Sequence, residues 1–163
     1  MSDSHQSTLP PGVLLAVDFG RARHGVAMAD GAGILASPLT VVEVASEPAA
    51  VAELAELAGR HQAVGWVVGL PLSKDGEENE ATRRVRSFAG RLKQASRLPV
   101  AFQDERHSTE EALDRLKDTG AGLVRAKAGK DSWAAALILQ DWLDARKGAG
   151  ERGSAGLQNE PNV

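Results

Sequence analysis

Val13-Leu14-Leu15-Ala16-Val17-Asp18-Phe19-Gly20 is the stretch whose reading decides the fold. A continuous apolar run this short, closed by an acid and Phe-Gly, marks a strand buried on both faces. Gly25-Val26-Ala27-Met28-Ala29 is a second strand. Asp30-Gly31-Ala32-Gly33 reads as a tight turn into a third, from Ile34 through Val41-Val42-Glu43-Val44. Connections this short force the three strands into an antiparallel meander.

Outward from there the period changes to helix and strand. Pro48 suits a first helical turn, and Val51, Leu54, Ala55 and Ala58 form one apolar stripe. Val64 to Leu70 is a fourth, buried strand stopped by Pro71. A loop with Asp75-Gly76 leads to a second helix, in which Ala81, Val85, Phe88, Ala89 and Leu92 share a face. Pro99-Val100-Ala101-Phe102-Gln103 is the fifth strand. Ser108-Thr109-Glu110-Glu111 fits a capping box that opens a third helix ending near Gly120, and a last helix runs from about Asp131 to Arg146. The order β-β-β-α-β-α-β-α-α implies an α/β protein with a five-stranded mixed sheet flanked by helices, its first, fourth and fifth strands parallel.

The 163 residues suffice for one domain with a real core and are too few for two. The expected domain is 12–147. Residues 1–11 and 148–163, rich in polar residues, Gly and Pro, read as flexible tails. The absence of cysteine excludes disulfides, thiolate metal sites and cysteine nucleophiles, and fits a cytoplasmic protein. No apolar run marks a signal peptide or a membrane span, so no membrane partner is expected. A net charge of −3 argues against indiscriminate nucleic-acid binding but leaves room for a local basic stripe.

In sheets of this kind ligands bind beyond the carboxyl ends of the parallel strands. Two of those ends carry acids, Asp18 and Asp104-Glu105, and the third carries Gly69-Leu70-Pro71. Asp18 alone reads equally well as a turn residue before glycine. Glu105 follows a buried strand directly, and alternation points Asp104 the other way. Asp131 lies on the stripe of Ala134, Ala135, Ile138 and Trp142, where a charge is costly unless paired or metal-bound; it also suits an N-cap, which does not exclude ligation. Three carboxylates without convergent Cys or His make a hard oxygen site suited to Mg²⁺ or Mn²⁺, such as serves two-metal phosphoryl chemistry.

The cations suit a polyanionic substrate. Arg21 and Arg23 follow Asp18, while Arg125, Lys127 and Lys130 fill an acid-free loop before Asp131. Arg83, Arg84 and Arg86, which lie away from the Val85-Phe88 face, also suit such a substrate but read rather as a solvated helix face. His24 and His107 read as polar rim residues.

Together, Asp18-Phe19-Gly20-Arg21-Ala22-Arg23-His24-Gly25-Val26-Ala27, Ala36-Ser37-Pro38-Leu39-Thr40, Val68-Gly69-Leu70-Pro71-Leu72, Asp104-Glu105-Arg106 with Ser108-Thr109-Glu110-Glu111-Ala112, and Asp131 with Ala134-Ala135-Ala136-Leu137-Ile138-Leu139-Gln140 resemble the YqgF (RuvX) family over about residues 13–145. The resemblance implies a ribonuclease-H-like fold related to the RuvC junction resolvases. It implies a metal-dependent nuclease with Asp18, Glu105 and Asp131 as catalytic metal ligands, two Mg²⁺ or Mn²⁺ ions, and a nucleic-acid partner. That partner is RNA in maturation of the 5′ end of pre-16S ribosomal RNA, or DNA in Holliday-junction resolution, where two active sites in a homodimer would be needed. His107 departs from the apolar residue more usual after the Glu-Arg pair. Two other classes are compatible with parts of the pattern. An ATP-binding module of the actin and sugar-kinase type also opens with Asp-x-Gly on a strand, and a non-catalytic nucleic-acid-binding domain could keep the fold. The first lacks room for a second domain; the second would gain by losing acids near phosphates.

Overall fold

The computed structural model describes residues 9–105 and 131–147. Strands β1 (Leu14–Asp18), β2 (Arg23–Ala29) and β3 (Ala36–Glu43) form the meander, followed by helix α1 (Glu47–Arg60), β4 (Gly65–Leu70), helix α2 (Glu80–Ser96) and β5 (Val100–Asp104). A last helix, α3, covers residues 131–147. The sheet order is β3-β2-β1-β4-β5. β1 pairs antiparallel with β2 and parallel with β4, and β4 pairs parallel with β5, as the crossover helices require. The helix expected over 108–120 lies outside the described residues.

Side-chain alternation divides the sheet into two cores. Leu15, Val17, Val26, Val42 and Trp66 face α1 and α2, meeting Leu54, Leu57, Phe88 and Leu92. Leu14, Ala16, Ala27, Ala29, Val67 and Ala101 face the other way and meet α3 through Trp133, Ala135, Ile138, Leu139 and Trp142. The small residues on this second face let α3 lie close against the strands. β1 and β4 are therefore covered on both sides, which is why they read as unbroken apolar runs.

Local chemistry sets the helix ends. Ser46 caps α1 by accepting from the Ala49 N–H at 3.2 Å, and Pro48 sits in the first turn. Asn79 and Thr82 form a capping box at the start of α2. Thr82, not Ala81, is the buried residue of that turn, because its hydroxyl also donates to the Pro71 carbonyl. Two further expectations are corrected. The third strand begins at Ala36, since Ile34 is 72% exposed in the turn. Leu9, assigned by sequence to the N-terminal tail, is buried in the α3-side core, and its carbonyl accepts from Arg146 at 3.1 Å. Among the described residues no helix is long and apolar enough to cross a membrane.

Gly25 shows how tightly α3 sits. A Cβ built there would lie 1.9 Å from the Asp131 carbonyl oxygen, a backbone atom that cannot move alone. Gly25→Ala should therefore cost about 1–3 kcal/mol in denaturant unfolding, as overpacking does. Gly90→Ala, in the α2 interior with nothing within 4 Å, should instead add about 0.5–1 kcal/mol. Equal effects of the two substitutions would contradict this packing.

Candidate active site

Asp18 ends β1 and pairs in register with Gly25 of β2. By alternation it shares the α3-facing side with Leu14 and Ala16. Across β1 and β4 the register Val17↔Val68 puts Gly69 beside Asp18, and Gly69 pairs with Gln103 of β5. Glu105 follows β5 on this same side, whereas Asp104 alternates to the other. Asp18 is thus flanked on both neighbouring strands by glycine, and each glycine makes room for one of the other acids. A Cβ at Gly69 would stand 2.9 Å from the Glu105 carboxyl carbon and 2.6 Å from the Ile138 side chain. A Cβ at Gly25 would strike the Asp131 backbone.

Through the Gly69 gap Glu105 reaches across β4 and hydrogen-bonds Asp18. Burial raises the Asp18 carboxyl to about 6; the bond from Glu105 works against this rise, and the Asp131 charge adds to it. Burial likewise raises Glu105 to about 7, helped by the neighbouring Asp18 charge, by the bond it gives to Asp18 and by Asp104. Glu105 is the proton donor of the pair and Asp18 the acceptor, the arrangement like charges adopt when both cannot ionise.

Asp131, expected on a core stripe, instead occupies the open end of α3. Its side chain is 41% exposed, and Oδ2 lies 3.2 Å from Nε of Arg23. An ion pair this exposed contributes little to stability. Among the described residues no three acidic or histidine side chains converge into a ready-made metal cage. The three predicted acids share one side of the sheet end, two in direct contact and the third held by Arg23.

The cations sort unevenly. Arg23 is engaged with Asp131. Arg21 is exposed and lines a cavity of about 300 Å³ with Asp18, Glu105, Pro71 and Arg84. Arg125, Lys127, Lys130 and His107 lie outside the described residues. His24, expected on the rim, is buried: it stacks on Phe19 at 4.9 Å, touches Phe88 at 4.8 Å, and accepts from the Gly20 N–H at 3.1 Å. Burial pushes its imidazole down to about 4, so it stays neutral and secures the turn after Asp18. A larger cavity, about 520 Å³, lies at the other end of β1 between Leu14, Ile34 and Leu143, away from the paired acids.

Residues 12–145 match the family described as "RuvX: Holliday junction resolvase". A relative from Anaeromyxobacter sp. (strain Fw109-5), named "Putative pre-16S rRNA nuclease", is 42% identical over 132 residues, covering 81% of this chain and 96% of its own. One of the same name from Maridesulfovibrio salexigens is 41% identical over 130 residues, covering 80% and 96%. The chain belongs to the RuvX family. T. thermophilus RuvC, solved with a Holliday junction substrate, matches at a TM-score of 0.60 with 19% identity, covering 84% of this chain and 96% of that one. That likeness shows that the RuvX chain shares the ribonuclease-H-like fold of RuvC.

Sequence reasoning brought Asp18 and Glu105 of this RuvX chain to one end of the sheet but did not single out Gly69, which lets them meet, or Gly25, which admits the start of α3. Their signal was present: counted along their strands, both fall on the face of the acid. It also missed Arg84, because helical periodicity separates exposed from buried positions but does not say which exposed arginine overlooks a cleft on another element.

The acid pair makes stability fall with pH in the metal-free protein. Between the ordinary carboxylate values, 3.8 and 4.5, and the raised ones, about 6 and 7, the folded state keeps protons that the unfolded chain has lost. Stability attributable to the pair is thus full below about pH 4 and gone above about pH 7. Asp18→Asn should leave stability nearly unchanged at pH 4 and raise it at pH 7.5, on the order of 1–3 kcal/mol, in EDTA. A variant no more stable than the parent at pH 7.5 would show that the acids are not in electrostatic conflict.

Proposed function

We propose that residues 12–147 form a metal-dependent nuclease that hydrolyses phosphodiester bonds in nucleic acid, acting in the cytoplasm on the 5′ end of pre-16S ribosomal RNA. The observation that carries this reading is the pairing of Asp18 and Glu105 at the carboxyl ends of the parallel strands, in a chain about 42% identical to a relative named for that activity. A second reading, cleavage of four-way DNA junctions, is favoured by the description of the family itself.

The donor set fits a hard divalent cation. Asp18 and Glu105 offer carboxylate oxygens desolvated enough to retain a proton, and a cation that displaces it removes the conflict between them. Asp18, Glu105 and Asp131 would hold Mg²⁺ or Mn²⁺, two ions in the full reading. Such ions supply an activated water and stabilise charge on the leaving oxygen. The remaining work falls to the chain. Asp18 stays fixed by strand pairing to Gly25 and by the His24-secured turn that follows it. Glu105 would give up its shared proton to solvent in holding such an ion. Arg23 exchanges its contact with Asp131 for a substrate phosphate, releasing that carboxylate toward the other two. Arg21, with Arg125, Lys127 and Lys130 of the segment preceding α3 in sequence, would grip the backbone of the strand.

Purified protein with Mg²⁺ or Mn²⁺ should cut a precursor ribosomal transcript in a panel that also holds single-stranded RNA, single-stranded DNA and a four-way junction. Asp18→Asn and Glu105→Gln should each lower cleavage on the order of 100-fold or more while the fold persists by circular dichroism. Tight binding of these nucleic acids without cleavage by the parent protein would mean a binding domain and sink the nuclease reading. Cleavage of the junction alone would move the substrate to DNA.

A further inference from the structure

Helix α2 presents three arginines near its start, and the structure gives them different work. Arg86 is committed: it makes a two-pronged ion pair with Glu78, at 2.6 and 3.0 Å, and lies over the Phe102 ring at 5.0 Å. Arg83 is exposed and lines neither cavity beside the acids. Arg84 lines both. One cavity, about 300 Å³, contains Asp18 and Glu105; the other, about 310 Å³, continues past His24 toward Val44 and Glu47. The two share Phe19, Gly20, Arg21 and Arg84, so they form one groove leading from the acid pair across the α1–α2 side of the sheet end.

The charge of this groove is positive away from the acids. Glu47, the carboxylate in its outer part, is already paired with Arg91 of α2. Neither Arg21 nor Arg84 forms an ion pair with a described carboxylate, and both are exposed at the junction of the two cavities. A strand whose scissile phosphate lies at Asp18 and Glu105 must continue beyond it, and successive phosphates need cations at intervals along the path. Arg21 and Arg84 stand where the path leaves the acids.

We propose that this groove is a backbone subsite for the nucleic-acid strand being cut, in which Arg84 together with Arg21 holds the phosphate neighbouring the scissile one. The assignment rests on the nuclease reading above. It separates Arg84 from Arg83 and Arg86, which the sequence placed together on a solvated face.

The test measures binding of a fluorescein-labelled single-stranded oligoribonucleotide and a labelled four-way DNA junction, with Mg²⁺, in the Asp18→Asn background so that nothing is cut. Adding Arg84→Ala should weaken binding of the bound probe about five- to tenfold and lower the magnitude of its salt dependence by about 1. Arg83→Ala should stay within about twofold. In the active protein Arg84→Ala should raise KM and leave kcat within about threefold, since a backbone grip acts alike in the ground and transition states. Methylphosphonate replacement of the single phosphate next to the cleavage point should impair the parent enzyme and leave Arg84→Ala indifferent. Equal behaviour of Arg84→Ala and Arg83→Ala in an enzyme that cleaves would overturn the subsite and spare the nuclease. Failure of the parent protein to bind either probe would overturn both.

Discussion

Asp18 and Glu105 belong to strands separated by a third, so their backbones stand roughly 9–10 Å apart. Their carboxyl groups meet only by passing over β4, and any side chain at position 69 would occupy that passage. Glycine there is what turns two strand-end acids into a pair. The same device recurs on the other side of β1, where Gly25 lets the first residue of α3 press against β2 and brings Asp131 to the same end of the sheet. Much of the α3-side architecture follows from this clearance: alanines on the sheet and on the helix keep the layers close, and larger groups fill the interface farther down.

The cost of bringing the acids together is electrostatic. Burial disfavours the charge on each, and the Asp18 charge disfavours that of Glu105, whose carboxyl donates to Asp18, so one proton stays between them near neutrality. Among the described residues no buried base relieves this conflict. Arg23 engages Asp131 and leaves the inner pair uncompensated, while His24 is kept neutral by its aromatic neighbours and serves the turn. The divalent cation proposed here would answer the desolvated charge that the described residues leave unmatched.

The described strands and helices were legible because their burial is periodic. The first and fourth strands announced double coverage through unbroken apolar runs, and Pro48 marked a helix start in the right turn. The nearness of Asp18 and Glu105 was legible from topology, which gathers strand ends. Less legible were matters decided between elements. Thr82 displaced Ala81 from the core because a carbonyl eleven residues earlier needed a donor. Leu9 joined the core because β4 offers only a glycine beneath it. His24 went inward because Phe19 and Phe88, on different elements, stack around it. Arg84 acquired its place from a cleft shared with the turn after β1. None of these depends on local sequence alone.

The proton held between Asp18 and Glu105 gives the most direct test of this account. Titration calorimetry with Mn²⁺ at pH 6.5, in buffers of different ionisation enthalpy, counts the protons released when the ion binds. About one proton should leave per protein on loading, and Asp18→Asn should bind the ion weakly with little release. Tight binding with no proton released, or release undiminished in Asp18→Asn, would contradict the assignment of the metal to this pair.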